Sequence, residues 1–158
     1  MPGWADFERA APAVAEEARA AFARHVHHML ATIRPDGAPR ISGTEVIRAQ
    51  GELWLGSMWE SPKARDLRRD PRYALHSGSD DPPGWTGDAK VAGTAHEVTD
   101  PEVFAAVQAT LDPQPPARFH LFRLDIAEAI VLRLNEAGDM MVATRWTRER
   151  GVTVREMV

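Results

Sequence analysis

Hydroxyl and basic side chains gather in residues 53–71, where a predicted strand ends and a predicted helix begins. Ser61 followed by Pro62 is typical of a helix start, because Ser is a preferred N-cap and Pro is tolerated at the first helical position. A helix start presents unpaired N–H groups and a partial positive charge, which favour an anion. Ser57 and Ser61 add hydroxyl groups, and Lys63 adds a cation that is unfavourable for helix stability alone. The segment predicts a phosphate-binding site, with a solvated helix face as the alternative.

A second polar group lies in the predicted strand of residues 39–48. Arg40, Ser42 and Thr44 share one face of that strand, because successive side chains alternate between faces. An Arg in such a position can bind phosphate through two parallel hydrogen bonds. Gly43 would let a flat ligand approach the backbone closely. The alternative interpretation is an ordinary edge strand that carries a surface Arg.

The composition predicts one globular domain over residues 1–158. The formal net charge is −4, whereas nucleic-acid-binding surfaces are basic. There is no Cys, which excludes thiol catalysis and Cys-ligated metals, and the His residues show no metal-ligand pattern. No apolar run approaches the roughly 20 residues of a membrane span, and the N-terminus lacks a signal-peptide pattern. We expect a cytoplasmic protein with no metal, membrane or nucleic-acid partner.

Hydrophobic periodicity predicts about seven strands and three helices. The predicted helices cover residues 12–29, 61–70 and 101–111. Residues 30–57 predict an antiparallel meander with two short turns, and further strands are expected within residues 73–77, 90–98, 119–134 and 140–157. Short turns, rather than helical crossovers, join most of these strands. The pattern therefore predicts a mainly β (α+β) antiparallel sheet or barrel with flanking helices.

Three stretches of the sequence resemble one known family. They are LATIRPDGAPRISGTEVI, GELWLGSMWESPKARDLRRDPRYAL and KVAGTAHEVTDPE, and a late strand that ends in Trp146 follows them. In this order they resemble the pyridoxamine 5′-phosphate oxidase-like superfamily of flavin and deazaflavin split-barrel proteins. The resemblance implies a six-stranded antiparallel split β-barrel with flanking helices. It also implies a homodimer that holds FMN, or alternatively the deazaflavin coenzyme F-420, in a cleft between its subunits.

The resemblance assigns the phosphate end of the cofactor to five residues. Arg40 corresponds to the strand Arg that reaches the cofactor phosphate. Ser61 and Lys63 correspond to the Ser and Lys at the start of the phosphate-binding helix. Gly56 and Ser57 correspond to the strand end that contacts the ribityl and phosphate groups. The reasoning from helix starts selects Ser57, Ser61 and Lys63 independently of the resemblance.

The ring end of the cofactor is implied at three further positions. Ser42 and Gly43 correspond to strand positions beside the isoalloxazine ring, and Trp146 resembles the late Trp that the partner subunit places near it. The sequence also departs from the true pyridoxamine phosphate oxidase. Pro62 stands where that enzyme has Arg, and Glu45 stands where it has a substrate-holding Lys. The chain therefore resembles the actinobacterial-type relatives more closely than the true oxidase.

The resemblance implies a flavin-dependent oxidoreductase that transfers hydride to or from a small conjugated substrate. A deazaflavin-dependent reductase and a non-catalytic flavin-binding or ligand-binding protein of the same fold are the alternatives. No residue of the sequence is assigned as a general acid or base. Flavin enzymes need none, because the cofactor carries the redox chemistry and the protein supplies orientation and electrostatics.

Overall fold

The computed structural model describes residues 2–115 and 117–157, which form nine strands and four helices. The helices are α1 (Trp4–Ala10), α2 (Pro12–Ala23), α3 (Pro62–Arg69) and α4 (Pro101–Gln108). The strands are β1 (His28–Ile33), β2 (Pro39–Thr44), β3 (Val46–Ala49), β4 (Glu52–Met58), β5 (Arg72–His76), β6 (Asp88–Glu97), β7 (Phe119–Leu134), β8 (Met141–Thr147) and β9 (Gly151–Met157). Within these ranges, no helix is both long enough and apolar enough to cross a lipid bilayer.

All strands join one antiparallel sheet, and the long strand β7 organises it. The sheet runs in the order β2-β1-β5-β6-β7-β4-β3, and β8 and β9 branch from β7. One edge of β7 pairs with β6 over residues 122–132, whereas its other edge pairs with β4 over residues 119–123 and with β8 over residues 128–134. Because β4 and β8 share one edge of β7, the sheet divides into two branches at this strand and does not close into a complete barrel. The predicted α+β split-barrel fold is confirmed, with nine strands described instead of about seven.

Three local predictions differ from the structure. The predicted helix of residues 12–29 ends at Ala23, and the next residues lead into β1 at His28. The predicted strand of residues 39–48 is two strands, because β2 pairs with β1 whereas β3 pairs with β4. Helix α1 was not predicted. It buries Trp4 and Phe7 against the core, so its formation depends on tertiary packing that a seven-residue pattern does not reveal.

The main core lies between the sheet and helices α1 and α2. Helix α2 faces the sheet with small residues, Ala15, Ala18 and Ala21, which are all buried. Small side chains let the helix approach the strands closely. Phe7 of α1 is fully buried and packs against Trp146 of β8, with ring centroids 4.7 Å apart. These two helices therefore cover the main core, and α3 packs against the sheet separately from them.

Helix α3 forms as predicted. Ser61 is its N-cap, Pro62 occupies the first helical position, and the helix ends just before Asp70. Ala64 and Leu67 bury the apolar face of α3. The chain enters α3 from β4 through a turn closed by a 3.1 Å hydrogen bond from the Ser61 N–H to the Met58 carbonyl oxygen. We call residues 58–61 the Met58–Ser61 turn.

Strand β6 approaches β7 closely at Gly93. The register of the two strands shifts between Ala92 and Gly93. A Cβ atom added to Gly93 would lie 1.9 Å from the carbonyl oxygen of Asp125. Because that oxygen belongs to the backbone of the central strand, it cannot move aside without disturbing the ladder. Only glycine fits this position.

We expect Gly93→Ala to lower the free energy of unfolding by about 3 kcal/mol, at the upper end of the typical cost of overpacking. Thermal unfolding followed by circular dichroism measures the change. Gly43→Ala is the matched control, because nothing lies within 4 Å of a Cβ added there. Equal unfolding midpoints for the two variants would contradict the requirement for glycine at position 93.

Candidate functional site

Two side-chain contacts join strand β2 to helix α3. Arg40 Nε donates a hydrogen bond to Asp66 Oδ2 at 2.7 Å. Lys63 Nζ donates to the carbonyl oxygen of Gly43 at 2.9 Å. The two cations that the sequence predicts as phosphate ligands therefore lie at one junction between a strand and a helix start. We call Arg40, Gly43, Lys63 and Asp66 the β2–α3 junction.

Asp66 is the buried anchor of this junction. Its side chain is 2% exposed and accepts hydrogen bonds from Thr32 at 2.9 Å, as well as from Arg40 and from Arg69 at 3.3 Å. Burial by itself raises the pKa of this carboxyl group, but the hydrogen bonds from its three partners outweigh it. The pKa of Asp66 therefore lies below its ordinary value. Asp66 is a charged carboxylate at neutral pH.

The contact with Asp66 orients Arg40 but uses only one nitrogen of its guanidinium group. The Arg40 side chain is about one quarter exposed, at 24%. Within the described residues, its guanidinium makes one side-chain hydrogen bond, through Nε. The two terminal nitrogens are the pair that binds phosphate in a two-pronged arrangement. Holding Nε fixed therefore presents a preorganised anion-binding edge.

Lys63 is a half-buried cation at the second residue of α3. Burial lowers the pKa of its ammonium group below the ordinary lysine value. Its partner is a neutral carbonyl group, and no carboxylate of residues 2–115 or 117–157 lies within salt-bridge distance of it. A desolvated cation without an anion costs free energy. The proximity of the helix start adds to this cost, so a bound anion would stabilise the region.

Ser57 and Ser61 complete the polar surface at the helix start. Their hydroxyl oxygens lie 2.7 Å apart, and Ser61 Oγ also accepts a hydrogen bond from the Ala64 N–H at 3.4 Å. Ser57 is buried at the end of β4, whereas Ser61 is partly exposed. The two hydroxyls and the first-turn amide groups form a set of hydrogen-bond donors suited to an anion.

The remaining predicted strand residues lie beside this cluster. Ser42 is half-buried on the same face of β2 as Arg40, whereas Gly43 is exposed and faces the opposite side. No atom lies within 4 Å of a Cβ added to Gly43, so its outer surface is open. Gly56 is half-buried one residue before Ser57 on β4. The structure thus brings Arg40, Lys63, Ser57 and Ser61 into one region, with Ser42, Gly43 and Gly56 next to them along the strands.

Trp146 does not belong to this cluster. It is 5% exposed and packs against Phe7 in the main core of its own chain. The role that the resemblance implies for Trp146, a ring near a cofactor held by the partner subunit, stays a prediction. A late Trp flanked by polar residues is as typical of a core strand as of a cofactor site, and within its own chain Trp146 packs against α1.

The sequence model of the family described as Pyridoxamine 5′-phosphate oxidase matches residues 14–133. This match covers three quarters of the chain and includes every residue of the β2–α3 junction. The chain belongs to the pyridoxamine 5′-phosphate oxidase family. No curated protein matches it at a significant level.

Solved structures support the fold of this pyridoxamine 5′-phosphate oxidase family member. A conserved hypothetical protein from Mycobacterium tuberculosis is 27% identical, with a TM-score of 0.57 over 72% of this chain and 81% of that chain. A heme binding protein from Mycobacterium smegmatis is 17% identical, with a TM-score of 0.63 over 92% and 88%. A pyridoxamine 5′-phosphate oxidase-related, FMN binding protein from Nostoc punctiforme is 14% identical, with a TM-score of 0.61 over 93% and 95%.

Sequence reasoning missed two residues of the site in this family member. Asp66 looked like one of two anions in a basic helix, and Thr32 looked like an ordinary strand residue. Neither has a local signal, because the partner that matters most, Arg40, lies far from Asp66 in the chain. A metal site was not predicted, and the described residues contain no group of three His, Asp or Glu side chains placed to bind one.

We expect Asp66→Asn to lower the free energy of unfolding at pH 7 by about 1–3 kcal/mol, the cost of disrupting hydrogen bonds to a buried charged group. The folded-state pKa of Asp66 lies below its unfolded value. The stabilisation is therefore complete above the unfolded pKa and disappears as the pH falls through the folded pKa. Urea unfolding at pH 7, 5 and 3 should show a difference from wild type that narrows with acid.

Asp81→Asn is the control for this prediction. Asp81 is exposed, so removing its charge should change the unfolding free energy little at any pH. A difference between Asp66→Asn and wild type that stays constant from pH 7 to pH 3 would show that the carboxylate charge of Asp66 does not contribute.

Proposed function

We propose that this chain is a flavin-dependent oxidoreductase that binds FMN at a homodimer cleft and transfers hydride between it and a small conjugated substrate. Membership of the family supports a flavin cofactor, and a structural relative from Nostoc punctiforme is described as FMN binding. The observation that carries the proposal is the β2–α3 junction, where Lys63 has no carboxylate partner among the described residues and Arg40 uses only its Nε on Asp66.

The residues of the junction fit a phosphate group. Asp66 neutralises one positive charge, yet Arg40 and Arg69 both contact it, and Lys63 adds a third cation at the start of the same helix. An FMN phosphate carries the negative charge that would balance the positive charge left over after Asp66. Arg40 would bind it through its terminal nitrogens, Lys63 through its ammonium group, and Ser61 through its hydroxyl. The preorganisation by Asp66 reduces the entropy lost when the phosphate binds.

When bound, the flavin supplies the hydride-transfer chemistry. The chain itself binds and orients. A serine hydroxyl is a poor proton donor at neutral pH, so the role of Ser42 is to position a ligand through hydrogen bonds. Gly43 leaves space on the outer face of β2, where a flat ring can approach the backbone. Substrate selection then depends on what else lines the cleft.

We expect Lys63→Met to weaken FMN binding by roughly 10 to 100-fold, because one charge-assisted hydrogen bond contributes about 1.5–3 kcal/mol. The stem of Lys63 is already desolvated, so the thermal midpoint of the ligand-free variant should equal or exceed that of wild type. Fluorescence titration with FMN measures the affinity. Arg65→Met is the matched control, since Arg65 is exposed on the same helix, and its FMN affinity should match wild type.

Riboflavin separates the phosphate contact from other effects. It lacks the phosphate group, so wild type and Lys63→Met should bind it equally. Equal FMN affinity for wild type and Lys63→Met would overturn the phosphate assignment. Titration with the deazaflavin coenzyme F-420 tests the cofactor itself, and tighter binding of that coenzyme than of FMN would overturn the choice of FMN. Oxidation of NAD(P)H by the loaded protein distinguishes an oxidoreductase from a flavin-storage protein.

An exposed apolar face supports the homodimer. Met29 on β1 and Ile41 on β2 face away from the core, and they are 49% and 70% exposed. Met29 pairs with Gly43 and Ala31 pairs with Ile41, which makes Met29 and Ile41 diagonal neighbours on one surface. Contiguous exposed apolar surface marks an interaction site. Because Gly43 lies on this face and its carbonyl group holds Lys63, a second copy docked here would border the phosphate site.

We expect wild type to elute with twice the mass of the 17.5 kDa chain in light scattering. Ile41→Asp should give a monomer, because it places a charge in the apolar contact, and should also weaken FMN binding. Val26→Asp is the control: Val26 is 68% exposed between α2 and β1, and its substitution should leave the dimer intact. A monomeric wild type at micromolar concentration would contradict the dimer.

A further inference from the structure

A cavity separate from the β2–α3 junction lies beside Trp59 of the Met58–Ser61 turn. Its volume is about 580 Å³, within the range of small-molecule sites. Residues of helix α4, of the start of β7 and of the turn line it. The lining includes Trp59, Glu97, Phe104, Arg118, Phe119 and His120. None of them belongs to the β2–α3 junction, and we call this cavity the Trp59 pocket.

A buried hydrogen-bond network holds the floor of the Trp59 pocket. The His120 side chain is 1% exposed, and its Nε2 accepts a hydrogen bond from the Glu60 N–H at 3.1 Å. Its Nδ1 therefore carries the proton and donates to Glu97 Oε1 at 2.5 Å. Glu97 Oε2 is in turn 3.1 Å from Arg68 Nε. Both nitrogens of the imidazole are thus satisfied, and the ring is fixed in place.

The ring of Trp59 stacks on the fixed imidazole of His120. The two rings are stacked, with centroids 4.2 Å apart and an interplanar angle of 9°. Glu60, the next residue, has a φ of +54°, a left-handed conformation that costs free energy for a residue other than glycine. The hydrogen bond from the Glu60 N–H to His120 helps to stabilise this conformation. Strained backbone of this kind concentrates at functional sites.

Arg118 supplies a positive charge over the Trp59 ring. Its guanidinium carbon lies 3.4 Å from the centroid of the Trp59 ring, well within the range of a cation–π contact. Within the described residues, no carboxylate pairs with Arg118, whereas the carboxylate of Glu97 is already bound by His120 and Arg68. The N–H groups of a guanidinium lie in its own plane. A guanidinium stacked on a ring therefore directs them sideways, towards an incoming anion.

We propose that the Trp59 pocket binds a planar aromatic carboxylate. The carboxylate pairs with Arg118 in the two-pronged geometry that matches a guanidinium. The aromatic ring packs against Phe104 and Phe119, which supply the apolar wall. Trp59 instead holds the Arg118 guanidinium in place, since His120 covers one face of the Trp59 ring and Arg118 the other. Phe104 and Phe119 already contact each other with centroids 5.0 Å apart, so this wall is preformed. This site is separate from the β2–α3 junction, and binding at it does not require a flavin.

Isothermal titration calorimetry with 2-naphthoate tests the proposal on the purified protein. We expect a Kd on the order of 1 mM or tighter, in keeping with the size of the ligand. The uncharged 2-naphthamide should bind at least roughly fivefold more weakly, since it loses the charged contact. Cyclohexanecarboxylate should also bind more weakly, because it keeps the charge and loses the flat ring. Equal affinity for naphthoate and either analogue would overturn the proposal.

Variants locate the binding in the Trp59 pocket. Arg118→Gln and Trp59→Leu should each weaken 2-naphthoate binding roughly tenfold, the effect of about 1.4 kcal/mol. Both residues are at least partly exposed, so the variants should keep the wild-type circular dichroism spectrum. Arg65→Gln, the same change at an exposed Arg outside the pocket, should bind like wild type. Wild-type affinity in Trp59→Leu would overturn the location of the site, and strictly competitive displacement of 2-naphthoate by FMN would overturn its separation from the FMN site.

Discussion

The ion pair between Arg40 and Asp66 is the constraint on which the rest of the site depends. A carboxylate buried to this extent is tolerated only when charged or strongly polar donors satisfy it. Those donors come from β1, from β2 and from α3 itself, so satisfying Asp66 requires the three elements to meet in one arrangement. The start of α3, with its hydroxyl groups and its lysine, is thereby fixed relative to the strands.

This arrangement concentrates positive charge where the ligand-free chain gains little from it. Lys63 is desolvated against a carbonyl group, and Arg40 uses only part of its donor capacity on Asp66. The desolvation of Lys63 reduces the stability of the chain on its own, whereas both cations would favour a bound anion. A core that relies on α1, α2 and the long strand β7 provides the stability that this local cost requires.

The sequence carries strong local signals for part of this structure. Ser61 and Pro62 mark the start of α3, since capping depends on neighbouring residues alone. It carries none for Asp66, whose burial depends on Arg40 in a different strand. It also shows no break between β2 and β3, because a change of pairing partner leaves the hydrophobic pattern unchanged. Trp146 shows the opposite difficulty, since its residue type suits both a ligand site and a core, and its packing against α1 is not visible in the local sequence.

The Met58–Ser61 turn contributes to both proposed sites. Its last residue, Ser61, is the N-cap of α3, whereas Trp59 and the Glu60 N–H belong to the aromatic floor of the Trp59 pocket. A ligand that shifted this turn on one side would change the geometry offered on the other. Thermodynamic linkage would then require the coupling to be reciprocal, so that each ligand would alter the affinity for the other by the same factor. The two proposed sites thus share one four-residue element through which such coupling would pass.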